Sequence, residues 1–143
     1  MLKAIPPILS PDLLHRLRAM GHGDEIAIVD ANYPAESAGP EVIRADGLSA
    51  TDLLDAVLTL LPLDTFVEEA AFGMAVVGAA HRREPIHEAF GKIISKHEPG
   101  RTLALLERFA FYDRAGKAFA IVQSGERRLY GNILLKKGVI PPV

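Results

Sequence analysis

Ten prolines cut this chain of 143 residues, at positions 6, 7, 11, 34, 40, 62, 85, 99, 141 and 142. Proline lacks an amide hydrogen and pushes the residue before it out of the helical region, so helices and inner strands start or stop at these points. The chain must therefore fold from short elements. Ser10-Pro11 reads as an N-cap followed by a first helical residue. Leu13, Leu14, Leu17 and Met20 continue at helical spacing, and Gly21 is expected to stop that helix. Glu25 to Asp30 (EIAIVD) is a short apolar run, which predicts a buried strand, and Ala31 to Pro40 predicts a loop.

The second helix is expected to begin at Ser49 or Thr51, carrying Leu53, Leu54, Val57, Leu58 and Leu61 until Pro62 ends it. Phe72 to Val77 reads as another buried strand. From Pro85, residues Ile86, Ala89, Phe90, Ile93 and Ile94 form one helical face that Pro99-Gly100 closes. Leu103 to Leu106 predicts a strand and Phe109 to Ala115 a short helix. Ala118 to Gln123 and Asn132 to Leu135 predict two strands joined through Ser124 to Arg127. Strands alternating with helices imply one α/β domain, 1–143, of layered α/β/α type.

Composition narrows the function. The chain is 49% hydrophobic and 24% charged, which is ordinary for a soluble globule with a substantial core. Its 16 Lys and Arg against 18 Asp and Glu leave a formal charge of -2 and no basic excess to meet nucleic-acid phosphates. With no cysteine there is no disulfide, no thiolate metal site and no cysteine nucleophile. No apolar run reaches the roughly 18 residues that a membrane helix needs. The segment Met1 to Ser10 lacks a signal-peptide core, so a cytoplasmic protein is expected.

Four places carry chemistry. His22 sits between Gly21 and Gly23, where it is either an exposed residue after a helix end or an acid/base group approached closely by a ligand. Asp24 can pair with His22 or cap a backbone group. Asp30 ends a strand, so it either opens an Asx-turn or serves as a site carboxylate. In Glu107 to Arg114, Phe109 and Phe111 are expected in the core and Arg108 is reserved for a ligand. Tyr130-Gly131-Asn132 is a turn before a strand, or a set of neutral hydrogen-bonding groups suited to a polyhydroxylated ligand. The signatures GxGxxG, GxxxxGK[ST], HExxH and GxSxG are missing, and the remaining histidines show no metal-ligand spacing. His97 is expected as a half-buried residue at a helix end.

These segments together carry a resemblance. Met20 to Glu25 (MGHGDE), Asp30 to Pro34 (DANYP), Gly39-Pro40, Val42 to Gly47 (VIRADG), Arg108 to Tyr112 (RFAFY), Lys117 to Ala120 (KAFA), Gly125-Glu126 and Tyr130 to Gly138 (YGNILLKKG) make the chain resemble the ribose pyranase/fucose mutarotase family, on its fucose side. The resemblance implies exchange of the α and β anomers of a free monosaccharide, L-fucose foremost, with no metal and no cofactor. It implies His22 as proton donor/acceptor and Asp30, Arg108, Tyr130 and Asn132 as sugar contacts. Tyr130, Asp24 or a water is left as the acid/base partner of His22. It also implies a ring-like homo-oligomer, a decamer, with sites near subunit boundaries. Ribose-type pyranase/furanose exchange and a non-catalytic sugar-binding or transport-associated module are the alternatives.

Overall fold

The computed structural model describes all 143 residues. Its elements run α1 (Pro11–Ala19), β1 (Glu25–Val29), β2 (Glu41–Ala45), α2 (Ala50–Leu58), β3 (Ala71–Met74), α3 (Pro85–His97), β4 (Ala104–Leu106), α4 (Arg108–Ala115), β5 (Ala120–Ser124) and β6 (Ile133–Lys136). The helix starts follow from local chemistry. The Ser10 hydroxyl accepts the Leu13 amide at 3.2 Å and Ser49 accepts the Asp52 amide at 3.1 Å. Glu107 accepts the amides of Phe109 and Ala110 at 2.9 and 3.1 Å. Each side chain thereby satisfies amides that a helix start leaves without partners.

The six strands form one sheet in the order β2-β5-β1-β6-β3-β4. Only β6 runs against its neighbours. The two last strands, consecutive in sequence, do not pair, because β1 lies between them, parallel to β5 and antiparallel to β6. Alternation along the inner strands divides the core into two layers. Ile26, Ile28, Ala120, Val122, Ile133 and Leu135 face α1, α2 and α3, where Leu13, Leu54 and Phe90 are buried. Ala27, Val29, Ile121 and Leu134 face the other way, onto Phe111 and Ala115 of α4. A strand's period of two and a helix's apolar stripe are both satisfied, giving the expected α/β/α arrangement.

Several expectations need correction. Met20, not Gly21, ends α1 by turning extended, and the left-handed glycine is Gly23 at φ 87°, which turns the chain into β1. Helix α2 stops at Leu58, with Leu61 still buried in the turn that follows. Strand β3 covers Ala71–Met74 rather than Phe72 to Val77, since the chain reverses between Val76 and Ala79 through Gly78 at φ 75°. Strand β2 escaped the sequence reading because it is an edge strand with one buried residue, Ile43. Phe111 is in the core but Phe109 is 68% exposed. His97 is half-buried at the end of α3 and bonded to Asp55 at 2.6 Å.

Two glycines should respond oppositely to alanine. A Cβ at Gly125 would overlap the Asp46 backbone carbonyl, and neither partner is a flexible side chain. A Cβ at Gly91, inside α3, would meet nothing within 4 Å. We expect Gly125→Ala to lose about 2 kcal/mol or more and Gly91→Ala to gain up to about 1 kcal/mol in urea unfolding.

Candidate active site

Strands β1, β3 and β4 are mutually parallel and finish at one edge of the sheet, where antiparallel β6 begins. That geometry gathers Asp30 after β1, Met74 and Val77 at and beyond β3, Arg108 after β4 and Asn132 before β6. They line a cavity of about 180 Å³, completed by Asn32, Tyr33, Tyr112, Leu129 and Tyr130. Open α/β sheets characteristically bind ligands outside their strand ends. A larger space of about 530 Å³ lies between α1 and the C-terminal segment, but half of its lining residues are leucine and its charged ones are two cations, Arg18 and Lys137, with no carboxylate, phenol or amide side chain beside them. The smaller cavity is the candidate site, and four of the five expected site residues meet in it.

Asp30 is 7% exposed. Its Oδ1 accepts the Asn32 amide at 3.0 Å, so the Asx-turn reading and the site reading are both met. Its Oδ2 accepts from Asn132 Nδ2 at 3.1 Å, while Asn132 Oδ1 accepts the Asp30 amide at 2.8 Å. Burial pushes the Asp30 carboxyl above its ordinary range, against the opposing hydrogen bonds from Asn32 and Asn132. Asn132 thus both faces the cavity and fixes the carboxylate. Arg108 opens α4, donates from Nε to the Tyr112 hydroxyl at 3.3 Å and lies 5.4 Å from the ring centres of Phe109 and Tyr112. The Tyr33 hydroxyl beside the cavity is buried with no hydrogen-bond partner, and burial raises its pKa so that it stays neutral.

Tyr130 is held at φ 63°, a left-handed conformation that costs an L-residue energy. Its oxygen accepts the Val77 amide at 3.2 Å, which leaves the phenolic proton free to donate. The loop before it is anchored by Glu126. This carboxylate accepts the Arg128 amide at 3.0 Å, the Arg128 guanidinium at 2.9 Å and the Ala50 amide at the start of α2 at 3.2 Å. The Glu126 carbonyl accepts the Ala31 amide at 2.9 Å. The Arg128 guanidinium above all holds the Glu126 carboxyl down, to about 2.

His22 lies elsewhere. It precedes β1, whereas Asp30 follows it, and a strand of this length separates them by about 15 Å. There His22 Nε2 is 3.1 Å from Asp64 Oδ1, and its ring centre is 5.4 Å from that of Phe66. Asp24 does not pair with His22 but accepts the Gly21 amide at 2.7 Å. Asp64 is 2% exposed, and the Phe66 amide, with His22 assisting, holds its carboxyl below the usual range. The carboxylate therefore accepts and Nε2–H donates. The Arg101 guanidinium anchors this loop through the carbonyls of Asp64, Val67 and Glu68. Sequence reading missed Asp64 and Arg101, because a contact 42 residues away leaves no local spacing. No three His, Cys, Asp or Glu side chains converge into a metal cluster, and no helix is long and apolar enough to cross a membrane.

A strand-end cavity that combines a buried carboxylate, an arginine, a phenol and an amide defines an α/β domain built around a small polyhydroxylated ligand. The chain belongs to the RbsD / FucU transport protein family, which it matches over residues 3–140. It is 51% identical to the fucose mutarotase of Mus musculus, over 97% of this chain and 95% of that one, and 50% identical to the fucose mutarotase of Homo sapiens, over 97% and 94%. The crystal structure of the fucose mutarotase in complex with L-fucose from Streptococcus pneumoniae superposes with a TM-score of 0.91 at 45% identity, covering 98% of this chain and 100% of that one.

The Glu126 clamp predicts a pH dependence. Folding lowers this pKa, so the stabilisation is complete above the ordinary carboxyl value near 4.5 and fades as pH falls toward about 2. We expect Glu126→Gln to lose up to about 3 kcal/mol at pH 7 in urea unfolding. The gap to wild type should narrow steadily between pH 4.5 and 2.5.

Proposed function

We infer that this chain interconverts the α and β anomers of free L-fucose by acid/base-assisted ring opening and reclosure, using no cofactor. The observation that carries the reading is the convergence of Asp30, Arg108, Tyr130 and Asn132 on a cavity of about 180 Å³, room for one monosaccharide. The relatives named fucose mutarotase support the choice of sugar.

The reaction needs one proton removed from the anomeric hydroxyl and one delivered to the ring oxygen. The C1–O5 bond then breaks, C1 becomes an aldehyde, rotation about C1–C2 turns its other face and the steps reverse. No atom or electron is gained or lost. Tyr130 is suited to donate, since its oxygen already accepts from Val77 and its proton is unengaged. His22 is the second acid/base group, with Nε2 engaged by Asp64 and Nδ1 outside that bond. Because β1 holds His22 away from its own chain's cavity, a second copy must bring its His22 to this one. Such a head-to-tail contact closes into a ring, in keeping with a cytoplasmic homodecamer. Arg108 and Asn132 bind sugar hydroxyls, and Asp30 is held ready for the same task. Acid/base pairs of this kind contribute roughly 10²–10⁴-fold.

Saturation-transfer NMR between fucose anomers measures the reaction directly. We expect His22→Gln to fold and lose most exchange, and Tyr130→Phe to lose about 10²-fold at saturating sugar. Each variant alone should keep only a small residual rate, but the two mixed, unfolded and refolded together should recover about a quarter of wild-type activity, the fraction of boundaries that pair two intact halves. Wild-type-like exchange in His22→Gln removes His22 from the mechanism, and no recovery on mixing removes the shared site.

A further inference from the structure

The cavity is divided along the sheet edge. On the β1 side stand Asp30 and Asn32, joined by the hydrogen bond between them. Asn132, before β6, is in the middle, bonded to Asp30 at 3.1 Å and 3.9 Å from the Met74 sulfur. On the β3 side the wall is Met74, Val77 and Leu129, with no polar side chain among them. The Val77 amide donates to the Tyr130 oxygen, which ties the turn after β3 to the phenol, and Met74, Val77 and Leu129 are apolar side chains lining the same cavity.

That surface is braced from behind. His87 is fully buried; its Nδ1 accepts the Glu84 amide at 3.0 Å, so its Nε2–H donates to the Met74 carbonyl at 2.9 Å. Met74 is itself 4% exposed. Val77 and Leu129 are 59% and 68% exposed, so this side of the cavity is open for one edge of a ligand to cover. A monosaccharide has hydroxyls on most of its ring, and burying any of them against Met74, Val77 and Leu129 leaves it without a partner. A 6-deoxyhexose offers such a wall a group without a hydroxyl, its exocyclic methyl.

We propose that Met74, Val77 and Leu129 form the specificity wall of this site and select sugars whose exocyclic carbon is a methyl group. The proposal rests on the anomer-exchange reading above. It orders three sugars of identical ring configuration: L-fucose, with the methyl; D-arabinose, with no exocyclic carbon; and L-galactose, with a hydroxymethyl group. A missing methyl loses apolar contact, and an added hydroxyl is buried unpaired.

The test is saturation-transfer NMR on the three sugars, with wild type, Val77→Thr and Leu129→Asn. Val77→Thr keeps the shape and puts a hydroxyl in place of a methyl, and the Val77 amide that holds Tyr130 belongs to the backbone and is untouched. For wild type we expect exchange per unit enzyme and sugar to favour L-fucose by about 10-fold or more over each of the others, the scale of one methylene in an apolar pocket. In Val77→Thr the fucose-to-galactose ratio should fall by about threefold or more, and Leu129→Asn should shift it the same way. Light scattering on each variant should give the wild-type mass. If all three sugars slow by the same factor in both variants, or if the mass falls with the rates, the wall serves the phenol or the subunit contact and the proposal is overturned. If wild type accelerates none of the three sugars, the anomer-exchange reading itself fails, and this result is distinct from an unchanged ratio.

Discussion

Strand β1 is the constraint on which the rest depends. It is hydrogen-bonded on both sides, to β5 and to β6, and Ile26 through Val29 are fully buried on both faces of the sheet. A strand so enclosed has no freedom to slide, because a shift by one residue would turn Ile26 and Ile28 toward α4 and bring Ala27 and Val29 under α2. Its two ends are therefore fixed in space. One carries His22 and the other Asp30, and no rearrangement of loops brings them together while the sheet exists. The separation is a property of the core and not of the loops that carry the two residues.

The cavity end is organised by carboxylates that satisfy backbone amides rather than by cations alone. Asp30 serves the Asn32 amide and the Asn132 side chain, and Glu126 serves Arg128 and the Ala50 amide. Gln123 donates to the Asp30 carbonyl at 2.6 Å and the Ser124 hydroxyl to the Val29 carbonyl at 2.5 Å, tying β5 to the end of β1. Buried polar groups stabilise only when nearly all are partnered, and here the partners come from β1, β5, β6 and the start of α2. The site is thus rigid at its polar floor. The Tyr33 hydroxyl is the exception, buried beside the cavity without a partner.

Local chemistry was legible in the sequence; distant pairing was not. Ser10-Pro11, Ser49 and the run from Pro85 to His97 announced their helices because caps and apolar periodicity are short-range. Asp30, Arg108, Tyr130 and Asn132 were legible as strand-end and turn residues, and the sheet then brought them together. His22 was legible as an unusual residue, but its distance from the others was not, since the order of strands in the sheet leaves no mark on spacing. Strand β2 was hidden by its edge position, and β3 is shorter than its apolar run because the chain after Met74 turns back on itself, with Val76 bridged to Ala79. Phe109 was expected in the core by type, yet it points outward beside the Arg108 guanidinium. Asp64, Arg101 and His87 act through contacts that are remote in sequence or with backbone carbonyls, and neither kind produces a motif.

The backbone at Tyr130 carries strain at this edge of the sheet. A left-handed conformation costs an L-residue about 1–2 kcal/mol, and glycine or asparagine takes it far more readily. Gly131, immediately after, could have hosted the bend, yet the strained residue is the tyrosine. A Cβ at Gly131 would in turn press on the Glu126 side chain, so the order Tyr-Gly is imposed by packing as well as by conformation. Strain of this kind persists only where surroundings over-determine it, and here the Glu126 clamp and the Val77 amide do so. What the strain secures is the phenol, placed against the apolar wall on one side and the carboxylate end of the cavity on the other, with its proton unengaged. A loop selected for stability alone would put the aromatic ring in the core, as Phe111 is, and leave the turn to glycine.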